Sequence, residues 1–220
     1  MLFIWFLSRG QHLTPTSAAT RPESHISESE SYLSLAQSQS FFGIITGSDP
    51  RTHQSRLGAL TPRSKYTPYM IAETRALDSF QNLSLSLEAF RNLYGAKPEK
   101  VTVVSHEFKR ARFEELHFKV LQEKYASTVF NFEGQDPPYM VEGSPEYDAT
   151  KAQKVRHAEK AKGYDMWAKD PQGSGEEVTR KRKERDFWGV QSHVGEDRER
   201  PENLSEIINE NGALWSEQLR

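Results

Sequence analysis

The sequence predicts an α/β protein with a mainly parallel sheet, and three observations carry that prediction. Two short apolar runs, Val101–Val104 and Thr128–Phe132, have the length and the β-branched or aromatic make-up of buried parallel strands. An amphipathic stretch precedes the first run and another separates the two, and strands alternating with helices point to βαβ units. The first run also stops abruptly in Ser105-His106-Glu107-Phe108-Lys109-Arg110-Ala111-Arg112. In an open α/β sheet ligands bind outside the carboxyl ends of the strands, so the chemistry is expected at that point.

Along the chain, Met1–Leu7 is apolar but far short of the ~20 residues a membrane span needs. It has neither the positive n-region nor the small-residue cleavage site of a secretion signal. It reads as an interior β-strand at which the chain begins. Ser8 to His25, rich in Thr, Ser, Pro and Ala, reads as a loop. Ser27-Glu28-Ser29-Glu30 has capping-box spacing, and Tyr32, Leu33, Leu35 and Ala36 follow as a short helix. Phe41 to Tyr69 is dominated by Gly, Ser, Thr, Pro and Arg, with Phe42–Ile45 as its one strand candidate. A mobile loop of this length is usually functional or disordered.

The strongest helix is expected from about Tyr69 to Tyr94. Leu77, Phe80, Leu83, Leu87, Phe90 and Tyr94 recur at three- and four-residue steps, Gly95 ends the pattern and Pro98 lies just beyond. A second helix is expected from Arg110 to Tyr125, a rigid turn at Asp136–Met140, and a charged helix from Ala149 to Trp167. Residues 1–168 thus form the domain, with residues 41–69 as its long loop. Residues 169–220, including Arg180–Arg185, read as a charged, partly disordered tail.

Composition narrows the function. The 220 residues carry 29 Lys+Arg against 31 Asp+Glu, so no global field recruits nucleic acid or an anionic membrane. The mean hydropathy of -0.76 is low for a chain that packs throughout. Cysteine is absent, which excludes disulfides and thiolate metal sites and suits the cytoplasm. No histidine pair has zinc-helix spacing and no Gly-rich phosphate fingerprint is present. The glycosylation patterns at Asn82 and Asn203 are discounted, the first because it falls in a predicted helix.

Two groups of residues carry chemistry. Glu73, Ala76, Ser79 and Asn82 follow at three-residue intervals, which on a helix makes a polar stripe of carboxylate, hydroxyl and amide. Such a stripe suits a small polar ligand, and it is also what an ordinary surface helix presents. At the strand end, His106 beside Glu107 suits either acid/base work or the anchoring of a loop. Lys109, Arg110 and Arg112 either meet an anionic ligand or form a solvated helix start.

Taken together, Glu73-x-x-Ala76-x-x-Ser79-x-x-Asn82, Ser105, Arg110-Ala111 and the Ser27-Glu28 helix start resemble the YdcF/SanA/ElyC-like family (domain of unknown function 218). The wording around Ala76–Asn82, Val101–Phe113 and Asp136–Tyr139 looks most like its fungal branch, and the resemblance spans roughly Ser27 to Trp167. It implies a Rossmann-like three-layer α/β/α fold. Because a bacterial member binds S-adenosylmethionine, it also implies a small polar or nucleotide-like ligand of that kind at the strand ends. Glu28, Glu73, Ser79, Asn82, Ser105, His106 and Arg110 are then the expected pocket residues, with Glu73 and Asn82 bonding hydroxyl or amino groups and Arg110 meeting a carboxylate or phosphate. Three departures stand out. The family's first strand and helix have no counterpart before Met1, so the chain is expected to be N-terminally truncated. Ser8-Arg9-Gly10-Gln11 replaces the family's Ser-Gly-Gly turn. Glu107, with His106 one residue away, occupies the place of the family's histidine, so no catalytic residue is carried over. The alternative expectation is a non-catalytic remnant or interaction protein.

Overall fold

A single residue lies between Ser8 and Gly10, and a parallel crossover needs a dozen or more. The first two strands therefore pair as an antiparallel hairpin. The computed structural model describes residues 3–8, 10–39 and 72–190. In it β1 (Phe3–Ser8) and β2 (Gly10–Pro15) are antiparallel, β1 is antiparallel to β3 (Lys100–Ser105), and β3 is parallel to β4 (Val129–Gly134). The order is β2-β1-β3-β4, which puts β1 in the interior of the sheet as its apolar run predicts. Two corrections follow. Within the expected Ser8–His25 loop, Gly10–Pro15 is a strand, and the sheet is mixed, with β3–β4 the one parallel pair among its described strands. The described elements form a mixed α/β arrangement, short of the complete three-layer Rossmann-like fold that the resemblance implies. The Phe41–Tyr69 segment lies outside the described residues.

The parallel pair is joined as a βαβ unit. After β3 the chain passes through a 3-10 turn (Glu107–Lys109), a π-helical segment (Arg112–His117) and α3 (Phe118–Lys124) before entering β4. The helix expected over Arg110–Tyr125 is therefore present, wound partly as a π-helix and partly as an α-helix. Before β3 runs α2 (Ser79–Tyr94), which ends at Gly95 with φ 66°, a left-handed position that glycine adopts without a Cβ clash. Leu83, Leu87 and Phe90 of α2 meet Ile4, Val101 and Val103 of the sheet and Phe113, Phe118, Leu121 and Phe132 around the crossover. Leu83 and Leu87 are fully buried, each contributing about 1.5–3 kcal/mol through its removal from water.

The predicted capping box is formed at α1 (Glu28–Ser38). Ser27 Oγ accepts from Glu30 N–H at 3.0 Å, and Glu30 Oε2 accepts from Ser27 N–H at 3.1 Å. Beyond the Pro138–Met140 turn, α4 (Ala149–Glu159), a second π-helical segment (Lys160–Tyr164) and α5 (Asp165–Lys169) cover the expected Ala149–Trp167 helix. The charged segment that follows is not simply solvated: α6 (Glu176–Arg185) docks on the chain ahead of α2. Arg182 Nε lies 2.6 Å from Asp78 Oδ2, Arg185 Nη1 donates to Leu77 O at 2.8 Å, and Trp188 Nε1 donates to Ser24 O at 3.1 Å. Gly173 (φ 67°) makes room for this docking, because a Cβ there would lie 2.7 Å from both Arg182 and the Trp167 ring.

Candidate functional site

The sheet register gathers several of the expected residues at one end. Phe3 pairs with both Pro15 and Val104, and Val104 pairs with Glu133. Thr16, Ser105 and Gly134, the next residue along each chain, therefore leave the sheet side by side. This is the carboxyl end of β2, β3 and β4.

Glu73 arrives at that end by a route other than the expected helix. Its N–H donates to Pro15 O at 3.0 Å and its O accepts from Ser17 N–H at 3.1 Å, a parallel bridge that sets Glu73 beside Thr16 just past the end of β2. The stripe Glu73–Ala76–Ser79–Asn82 is accordingly not one helix face, since α2 begins only at Ser79. The reason is capping: Asp78 Oδ1 accepts from Gln81 N–H at 2.8 Å, and Gln81 Oε1 accepts from Leu77 N–H at 3.0 Å. Asp78-x-x-Gln81 has the spacing of a capping box, a start signal inside the predicted helix.

The Glu73 side chain is 1% exposed. Oε1 accepts from Arg75 N–H at 3.0 Å and Arg75 Nε at 3.1 Å, and Oε2 accepts from Ala76 N–H at 3.0 Å. Burial pushes its pKa up, and the Arg75 charge and these bonds pull against that rise. Thr16 Oγ1 sits 3.4 Å from Glu73 Oε2, 3.2 Å from Asn82 Oδ1 and 3.3 Å from Asn82 O, so one hydroxyl proton faces three acceptors. The expected pair Glu73 and Asn82 is thus joined through Thr16, which sequence inspection alone passes over.

On β3, Ser105 is buried, and its carbonyl accepts from Gln135 N–H at 2.9 Å, locking the ends of β3 and β4 together. His106 is half-buried, its Nδ1 is 3.2 Å from Gln135 O, and its ring stacks on Phe108 with centroids 5.2 Å apart. Burial lowers its pKa, which favours the neutral ring. Arg110 is held by neighbouring protein groups. It grips Glu107 with two bonds (Nε–Oε1 2.5 Å, Nη2–Oε2 2.8 Å), donates to Glu114 Oε1 at 2.8 Å and to Phe132 O at 3.1 Å, and lies over the Phe132 ring. The bonds to Arg110 hold the Glu107 carboxyl below its ordinary value, and Glu107 raises the guanidinium in turn. With two carboxylates already on it, Arg110 anchors the loop. Gly134 fits this arrangement, since a Cβ there would run into Glu107.

Glu28 stands apart at the start of α1, exposed and accepting from Tyr32 Oη at 3.1 Å. Ser79 pairs with a residue that lies 38 positions away: its Oγ is 2.8 Å from Nε2 of His117. His117 is 0% exposed and enclosed by the rings of Phe80, Phe113 and Trp167. Burial, reinforced by the nearby Arg112 charge, holds its pKa well below the usual histidine range, so the ring is neutral. The only hint in the sequence is a histidine inside the apolar stretch Leu116–Phe118.

Among the described residues no group of three or more His, Asp or Glu side chains could hold a metal ion, and no helix is long and apolar enough to cross a membrane. No family model, no curated protein and no solved structure matches the chain.

Proposed function

We propose that this chain is a YdcF-like cytoplasmic protein that binds a small polar or nucleotide-like ligand, of the S-adenosylmethionine kind, at the carboxyl ends of β3 and β4. The observation that carries the proposal is the convergence of Thr16, Glu73, Asn82, Ser105 and His106 at one end of the sheet, from segments distant in sequence. A half-buried neutral imidazole beside hydroxyl and amide groups can donate to and accept from a polar ligand without first shedding a charge. Glu73 serves as the fixed support behind this surface. Isothermal titration of the full chain with S-adenosylmethionine and with ATP is the test. Saturable heat that is weakened by His106→Ala and by Asn82→Ala supports the proposal. A folded sample giving no heat with either compound opposes it.

A second reading, a non-catalytic interaction protein, is favoured by one specific observation. Two of the charged side chains expected in the pocket, Glu73 and Arg110, are both engaged by neighbouring protein groups. Under that reading His106→Ala and Asn82→Ala alter no ligand affinity, because none exists.

A further inference from the structure

Four buried side-chain polar atoms lack a hydrogen-bond partner among the described residues, and three of them belong to one cluster: Arg112 Nε, His117 Nδ1 and Glu159 Oε1. Arg112 and His117 are the first and last residues of one π-helical segment, and Glu159 immediately precedes the other. π-Helical turns are rare and concentrate at functional sites. Arg112 Nε and Glu159 Oε1 are 3.1 Å apart with side chains 12% and 13% exposed, yet their alignment makes an ion pair and no hydrogen bond. Gly163 is shaped to the cluster, because a Cβ there would come within 2.7 Å of the Glu159 carboxylate.

Lys109 completes the group. It is half-buried, its ammonium lies 5.8 Å from the centroid of the Phe108 ring and makes no hydrogen bond among the described residues, and it senses the charges of Arg112, Glu159 and Glu28. Burial and then Arg112 depress its pKa, as two cations sharing one carboxylate require. His117 is neutral, Asp78 is held by Arg182, and Glu28 is exposed. Arg185 adds a further cation acting on Arg112, so Lys109, Arg112, Arg182 and Arg185 stand against Glu159, Asp78 and the exposed Glu28, an excess of one positive charge in a poorly solvated place. Desolvated charge of this kind is costly unless an opposite charge meets it. Ser79, on the other side of His117, brings a hydroxyl at the N-terminus of the 16-residue helix α2.

We propose that Lys109 and Arg112 form an oxyanion site, taking a carboxylate or phosphate group of a small ligand, with His117 Nδ1 as a neutral hydrogen-bonding partner, Ser79 fixing the ring through Nε2 and Glu159 holding Arg112 in place. This deepens the strand-end proposal by moving recognition of the ligand's anionic group from Arg110 to Lys109 and Arg112. It is testable without the larger ligand. The full chain is titrated with inorganic phosphate and, separately, with acetate at constant ionic strength, following the Arg112 Nε–H and His117 ring resonances by NMR. A saturable shift is expected with at least one anion, and which one responds identifies the group recognised. Lys109→Met weakens the affinity about tenfold and Glu159→Gln tightens it, while Lys97→Met, which removes an exposed cation elsewhere, leaves it unchanged. Absence of saturation with both anions, or equal affinity in Lys109→Met and the wild type, overturns the site. Anion binding without any response to S-adenosylmethionine or ATP keeps this site and removes the larger proposal.

Discussion

One carboxylate, that of Asp78, performs two separable tasks. Oδ1 caps α2 through Gln81 N–H, and Oδ2 holds Arg182 of α6 at 2.6 Å, with side chains 10% and 18% exposed for Asp78 and Arg182. Loss of a cap costs about 1 kcal/mol. Exposed ion pairs contribute about 0.2–1 kcal/mol, and removing one partner of a buried pair costs about 3–5. A pair as sheltered as this one falls between, at about 2 kcal/mol. Asp78→Ala, which removes both tasks, is therefore expected to cost about 3 kcal/mol, and Asp78→Ser, which keeps a capping hydroxyl, about 2. A double-mutant cycle with Arg182→Ala, read from urea denaturation, isolates the ion pair. Amide exchange across Glu176–Arg185 should accelerate in the same variants. A coupling energy within about 0.5 kcal/mol of zero, the spread of additive sites, would refute the docking of α6 on the start of α2.

Three further outcomes are expected. Glu73→Ala removes the acceptor of two backbone N–H groups and of Arg75 Nε, and the expected loss is about 3–5 kcal/mol by thermal or urea unfolding; a near-neutral variant would show that the carboxylate is not the support described. Gly95→Ala places a Cβ at φ 66°, which costs about 1–2 kcal/mol in the denaturation midpoint, and no change there would contradict the left-handed helix end. The third outcome concerns pH. Because the folded pKa of His117 lies below the unfolded value of 6.5, its contribution is intact above pH 6.5 and drains away as pH falls towards the folded pKa, at up to about 1.4 kcal/mol per pH unit. Relative to His117→Gln the wild type should lose stability between pH 7 and 5. Glu73, whose raised pKa acts in the opposite sense, is common to both proteins and cancels. Parallel stability curves would show that His117 is not buried neutral.

What the sequence made legible was local. The Ser27–Glu30 capping box, the glycine stop at Gly95 and the apolar runs of β3 and β4 are each decided by neighbours a few residues away, and each appears where expected. The start of α2 at Ser79 is hidden because helical periodicity extends back through Leu77, whereas the backbone of Glu73 is claimed by Pro15 and Ser17, far off in sequence. The Arg110 ion pairs are legible in the sequence: Glu107 at i−3 and Glu114 at i+4 are the spacings at which helical ion pairs form. Ser79–His117 and Arg112–Glu159 leave no such local trace. Each joins elements that only the packed crossover brings together.

The central claim, a ligand held at the carboxyl ends of β3 and β4, is tested most directly by mapping backbone amide shifts while S-adenosylmethionine is titrated into the 220-residue chain. Saturable shifts centred on Thr16, Asn82, Ser105, His106 and Gln135, with Lys97 and Tyr94 at the opposite end of the sheet unmoved, are the predicted result. A spectrum that does not change, or changes confined to residues away from this end, would contradict it.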